Sequence, residues 1–136
     1  MSPDSVQISQ TAMRIMERQV REAAPLEACG LVGGPPGRGQ LVLPVENAAA
    51  SPTRFRMAPQ GQLDALFSLE RRGLELVAIY HSHPAGPVMP SATDLEEAAY
   101  PEAAYLIWAP DATGWSCRAF ALREGQFQLV PLEVVG

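Results

Sequence analysis

Apolar residues recur along this chain with two different periods. Between residues 10 and 24, Met13, Met16, Val20 and Ala23 fall three or four apart, while Arg14, Glu17, Arg18 and Arg21 take the intervening positions. That spacing predicts an amphipathic helix, opened at Ser9 or Gln10 and stopped by Pro25. A second helix is predicted from Pro59, with Leu63, Leu66, Phe67 and Leu74 facing inward and Gly73 ending it. A third runs from Ser91 to Tyr100 and is halted by Pro101. Between them the pattern is that of strands. Residues 6–8 alternate, and 29–33 form a short apolar run closed by the turn 34–39 and followed by a returning strand over 40–46. Residues 47–53 read as loop and 55–57 as a short strand. Residues 76–80 and 104–109 are continuous apolar runs, the pattern of central strands buried on both faces. Residues 110–114 turn the chain into a final antiparallel pair, 115–123 and 127–135. The order βαβββαβαβββ predicts an α/β fold, a mixed sheet with helices packed on its faces.

The composition adds bounds. A chain of 136 residues, 47% hydrophobic and 18% charged, suits one domain over residues 1–136 with a core that needs no disulfide staples. The net charge of −5 leaves no basic excess to neutralise phosphates, which excludes a general nucleic-acid binder. All ten basic residues are Arg. Cys29 and Cys117 lie far apart, match no C-x-x-C pattern and are expected as reduced core thiols. No signal peptide and no run of about 20 apolar residues is visible, so a cytoplasmic protein with no membrane partner is expected.

The chemistry concentrates in one segment. Both histidines of the chain, His81 and His83, follow the apolar run 76–80 directly. Residues two apart on a strand point to the same side, so both imidazoles can reach one metal ion while Ser82 points away. A Pro/Gly-rich turn then leads to Ser91-Ala92-Thr93-Asp94. This S-x-x-D is also a helix-capping pattern, and the two readings are compatible, since a cap would hold Asp94 in place. Two nitrogens and one oxygen suit Zn²⁺ better than Ca²⁺ or Mg²⁺, and three protein ligands leave a position open for chemistry. A zinc-activated water also needs a base. Among Glu22, Glu27, Glu46, Glu70 and Glu75, Glu27 stands out, because it lies between Pro25 and the apolar run 29–33. Partial burial there would raise its pKa toward neutrality; the alternative is a solvated turn residue.

Together, His81-x-His83, seven residues, Ser91-x-x-Asp94 and an upstream Glu27 resemble the JAMM (MPN+) zinc metalloproteases, over nearly the whole chain. The resemblance implies that His81, His83 and Asp94 bind one catalytic Zn²⁺ carrying a water. It makes Glu27 the general acid/base, and Ser91 the residue that holds the water or stabilises the oxyanion. It implies a curved mixed sheet with flanking helices, the MPN fold related to cytidine deaminases. The implied activity is hydrolysis of the amide bond after the C-terminal Gly-Gly of a ubiquitin-like protein. The chain has no room for the long insertions of eukaryotic deubiquitinating members. It is closer to small prokaryotic members acting on a ubiquitin-fold small modifier or sulfur-carrier protein.

Three rival readings fare differently. A zinc deaminase needs a P-C-x-x-C motif that Cys29 and Cys117 cannot supply. A metallo-β-lactamase-like H-x-H-x-D-H needs an acid where Ala85, Gly86 and Pro87 stand. A non-catalytic MPN scaffold, mediating assembly only, would have lost its metal ligands, and none is missing here. Leu31, Val42, Phe55 and Met57 read as core, with a docking face as the alternative; the loop 47–56 with its two arginines reads as a contact for a substrate tail or as a solvated loop.

Overall fold

The computed structural model describes residues 2–136. Two sheets form. The larger has six strands in the order β4-β2-β5-β6-β7-β8, comprising β2 (Cys29–Gly34), β4 (Leu41–Val45), β5 (Glu75–Ser82), β6 (Ala104–Asp111), β7 (Gly114–Arg123) and β8 (Gln126–Val130). Its central pair, β5 and β6, is parallel; every other neighbour is antiparallel. The smaller sheet has the order β3-β1-β9, with β1 (Val6–Ser9) parallel to both β3 (Arg38–Gly39) and β9 (Leu132–Val135).

The helices cover opposite faces of the large sheet. In α1 (Gln10–Ala23), Ser9 caps the first turn by accepting from the Ala12 amide, and Ala12, Met16 and Val20 pack against Val32, Ala78, Tyr80, Leu106 and Trp108. In α2 (Pro59–Arg71), Ala65 joins the opposite cluster of Leu31, Ile79, Tyr105, Ile107 and Phe120, and Leu69 is buried on the same helix. From Ala78 along β5, and along β6, successive side chains go to the two clusters, so both central strands are buried on both faces as expected. Gly30 is required by close approach: a Cβ there would collide with the Tyr80 ring, whose hydroxyl donates to Gln19 Oε1.

Three expectations are corrected. The C-terminal pair is a hairpin followed by a departure. Pro131, which has no N–H to donate, ends β8, and β9 crosses to β1, so the sheet is split in two where one was expected. In α2 the buried positions are Ala65 and Leu69, whereas Leu63 and Phe67 are 45% and 49% exposed. The small Ala65 is what lets the helix lie close on the sheet. Residues 55–57 make only one isolated bridge, Met57 to Asn47. Leu31, Val42 and Met57 are core, as expected.

Candidate active site

The five polar side chains singled out from the sequence come from three places in the chain. His81 is the penultimate residue of β5 and His83 follows the strand directly. Ser82, between them, points to the other side and is fully buried, its hydroxyl accepting from the Ala28 amide at 2.8 Å. That bond, with Ser82 N to Ala28 O at 3.0 Å, fastens the strand end to the turn carrying Glu27. Glu27 itself is pinned by its amide to Ser51 O at 2.9 Å and by Asn47 Nδ2 to its carbonyl at 3.0 Å. Asp94 enters from α3 (Ala92–Glu97), where Ser91 is the N-cap of a full capping box: Ser91 Oγ accepts from the Asp94 amide at 3.0 Å and Asp94 Oδ2 accepts from the Ser91 amide at 2.8 Å. The helix is six residues long, shorter than the expected run to Tyr100.

Three atoms converge. His81 Nε2, His83 Nε2 and Asp94 Oδ2 lie 3.1 Å from one another on all three sides of a triangle. His83 Nδ1 is 2.8 Å from the Pro87 carbonyl, which can only accept, so the hydrogen of a neutral His83 sits on Nδ1 and the Nε2 lone pair faces Asp94. A lone pair and a carboxylate oxygen aimed at one point call for a cation between them. Atoms spaced this way can all lie about 2.0–2.2 Å from a common point, the zinc range for imidazole nitrogen and carboxylate oxygen. The residues present therefore fit a divalent metal of the kind expected. Pro87 acts as the outer partner that orients a ligating imidazole. Phe55, half-buried, stacks on His81 with centroids 4.3 Å apart and fixes the plane of the other ring. Neither role was readable from sequence, because both depend on where a loop folds back.

Glu27 stands beside this triangle. A carboxylate oxygen lies within 4.8 Å of a ring nitrogen of each histidine, the residue is only 4% exposed, and its Oε1 has no partner among the described residues. Burial raises its pKa to about 7, the nearby His83 partly opposing this and Asp94 adding to it. Burial also pushes the Asp94 carboxyl up, but without a metal the two imidazoles, when protonated, donate to it, and this outweighs burial and holds the group well below the usual carboxylate range. His81, fully enclosed, is shifted down by burial. His83 is opposed by burial yet shifted up, through Asp94 and the Pro87 carbonyl. Such a cluster can hold a metal through three atoms and move a proton through a fourth.

A profile of the prokaryotic homologs of the JAB domain matches residues 9–122. A protein of Thermus thermophilus described as a "Probable TtuB-protein conjugate cleaving protease" is 44% identical over 104 residues, which are 76% of this chain and 66% of that protein. A CysO-cysteine peptidase of Mycobacterium tuberculosis is 35% identical over 123 residues, 88% of this chain and 84% of that one. A solution structure of a protein from Desulfitobacterium hafniense superposes with a TM-score of 0.85 at 30% identity, covering 96% of this chain and 92% of that one. A JAB1/MPN domain protein of Archaeoglobus fulgidus shares the fold, with a TM-score of 0.63 at 20% identity over 96% of this chain and all of that one.

Proposed function

This chain belongs to the prokaryotic JAB-domain family, and we infer from that membership and from the converging side chains that it is a zinc-dependent peptidase. Its proposed reaction is hydrolysis of the amide bond after the C-terminal Gly-Gly of a ubiquitin-fold modifier or sulfur-carrier protein. Relatives named as a conjugate-cleaving protease, a CysO-cysteine peptidase and desampylases support that substrate class. We read residues 1–136 as one such domain, with His81, His83 and Asp94 as the zinc ligands. The observation that carries the reading is the 3.1 Å triangle of those three residues with the buried Glu27 carboxylate beside it.

When bound, a zinc ion supplies Lewis acidity toward the scissile carbonyl and toward the attacking water. Glu27, with a pKa near neutrality, takes a proton from that water as its oxygen adds to the carbonyl carbon. Ser91 Oγ is engaged as an acceptor by the Asp94 amide, which leaves its own hydrogen free to donate to the developing oxyanion. Glu27 then delivers its proton to the departing amine as the C–N bond breaks. A purely structural scaffold would need neither the unpartnered buried carboxylate nor three converging donor atoms.

Among the described residues no helix is long and apolar enough to cross a membrane. Cys29 and Cys117 are free thiols, which suits the reducing, cytoplasmic setting we propose. The test is metal analysis together with cleavage of carriers fused through Gly-Gly to an amine, followed by mass spectrometry. One bound zinc and chelator-sensitive cleavage are expected. Cleavage that survives complete removal of metal would overturn the mechanism.

A further inference from the structure

Two hollows open from the four-residue centre, and they touch different members of it. The larger, about 260 Å³, is bounded by His81 and Asp94 and continues past Phe55, Met57 and Tyr100. The smaller, about 170 Å³, is bounded by Glu27, His83 and Ser91 and runs between Pro52 and the loop of residues 85–90. On the peptidase reading, Glu27 protonates the departing amine, so the amine leaves on the side that Glu27 faces. The smaller hollow is then the leaving-group side, and the larger receives the acyl tail.

The walls of the smaller hollow are mostly apolar, among them Pro52, Pro87, Met89 and Pro90, and its one carboxylate is Glu27. A leaving group that carries its own carboxylate would be repelled there unless a cation stood at the rim. Arg118 is such a cation. It lies opposite Ile107 in the β6–β7 pairing, and Ile107 lies opposite His81 in the β5–β6 pairing, so the three side chains stand in a row on one face of the sheet. Two strand spacings put the Arg118 backbone about 10 Å from that of His81. Its guanidinium leans toward the loop, donating from Nη1 to Met89 Sδ at 3.9 Å, and Met89 is itself a wall of the smaller hollow. Among the described residues Arg118 pairs with no carboxylate, whereas Arg54, on the side of the larger hollow, is paired with Glu97. A thioether is a weak acceptor that a carboxylate readily displaces.

We propose that Arg118 anchors the α-carboxylate of a single amino acid joined through its amine to the carrier's C-terminal glycine, making carrier–amino-acid adducts the preferred substrate over lysine isopeptide conjugates. The chemistry separates the two classes. In an amino-acid adduct the carboxylate carbon is two bonds from the scissile nitrogen and carries a full charge. In a lysine conjugate the nitrogen is followed by four methylenes, and the α-carboxyl is tied up in the target's main chain. This inference rests on the peptidase reading, and the experiment separates their failures.

The probes are a ubiquitin-fold carrier ending in Gly-Gly, joined to alanine as the free acid or to alaninamide, assayed with zinc-loaded protein. The wild-type protein should cleave the acid roughly tenfold to a hundredfold better in kcat/KM, the size of one charged hydrogen-bonded contact. Most of the difference should lie in KM. Arg118→Ala should lose that preference by slowing the acid alone, with an unchanged melting temperature since the side chain is exposed, and Arg118→Lys should restore part of it. Calorimetric binding of the two conjugates to the Glu27→Gln variant, with and without Arg118→Ala, should show the same preference without turnover. Equal cleavage of acid and amide by the wild type, or equal losses in Arg118→Ala, would overturn the assignment of Arg118 alone. Cleavage of neither conjugate would overturn the peptidase reading and this inference with it.

Discussion

Glu27 is costly to the fold and, in the proposed mechanism, carries the proton. It is nearly inaccessible, one of its oxygens has no partner among the described residues, and burial lifts its pKa from an ordinary 4.5 to about 7. The folded state therefore binds its proton more tightly than the unfolded chain does. The group's contribution is most favourable below pH 4.5 and is lost as pH rises through 7, by up to about 3 kcal/mol. In metal-free protein, Glu27→Gln should accordingly be more stable than wild type at pH 8 and about equal to it near pH 4.5, as read from urea unfolding. A gap that did not change with pH would show that Glu27 is solvated. In zinc-loaded protein the same variant should keep its metal and lose roughly 10²- to 10⁴-fold in rate, the usual worth of a positioned proton-transfer group. His83→Ala and Asp94→Asn should behave in the opposite way, losing the zinc itself, which metal analysis after gel filtration would reveal.

At the scale of elements, the shortest helix is the one that carries Asp94. A six-residue helix is not stable by itself, so α3 depends on its cap. Ser91 and Asp94 exchange both bonds of the capping box, which means the cap also aims Asp94 Oδ2 at the histidines. Ser91→Ala should cost about 1 kcal/mol of stability. It should also weaken zinc binding by a few-fold, because the lost cap loosens the helix start that aims Asp94 while the Ser91 amide can still donate to Asp94 Oδ2; chelator competition measures this, and Ser91→Thr should restore it. Unchanged zinc affinity with lost activity would confine Ser91 to the oxyanion. The start of this helix was legible because S-x-x-D is a local signal. Its end was not, because Tyr100 is drawn away by contacts distant in sequence: its amide donates to Tyr105 Oη at 2.9 Å, and its hydroxyl accepts from Gln62 at 3.0 Å. The same limit applies to α2. Leu63, Leu66 and Phe67 make a plausible stripe on paper, but Ala65 and Leu69 meet the sheet, and only the approach distance between helix and sheet decides between them.

Over the whole molecule, the central strands and the site were legible, and the closure of the domain was not. Continuous apolar runs announced β5 and β6, and two histidines at the end of one of them announced where the triangle with Asp94 would form. Nothing local announced that β9 would cross to β1, except that Pro131 had to end the ladder of β8. The site depends on that long-range assembly, since the turn before β2, the end of β5 and the start of α3 meet only in the folded chain. Metal binding should therefore act as a clamp across the fold. A ligand that binds only the folded state adds about 4 kcal/mol when it is present at a thousandfold its dissociation constant. For a domain of this size that corresponds to a rise of roughly 10–15 °C in melting temperature. The two imidazoles must be neutral to bind, so the rise should be full at pH 8 and shrink as pH falls toward 5. Glu27→Gln should retain it, because Glu27 is not a ligand in this scheme, while His83→Ala should abolish it. Calorimetric scans without zinc and with free zinc buffered at a thousandfold its dissociation constant provide the measurement. A zinc-dependent rise that persisted in His83→Ala would place the ion somewhere other than the triangle of His81, His83 and Asp94.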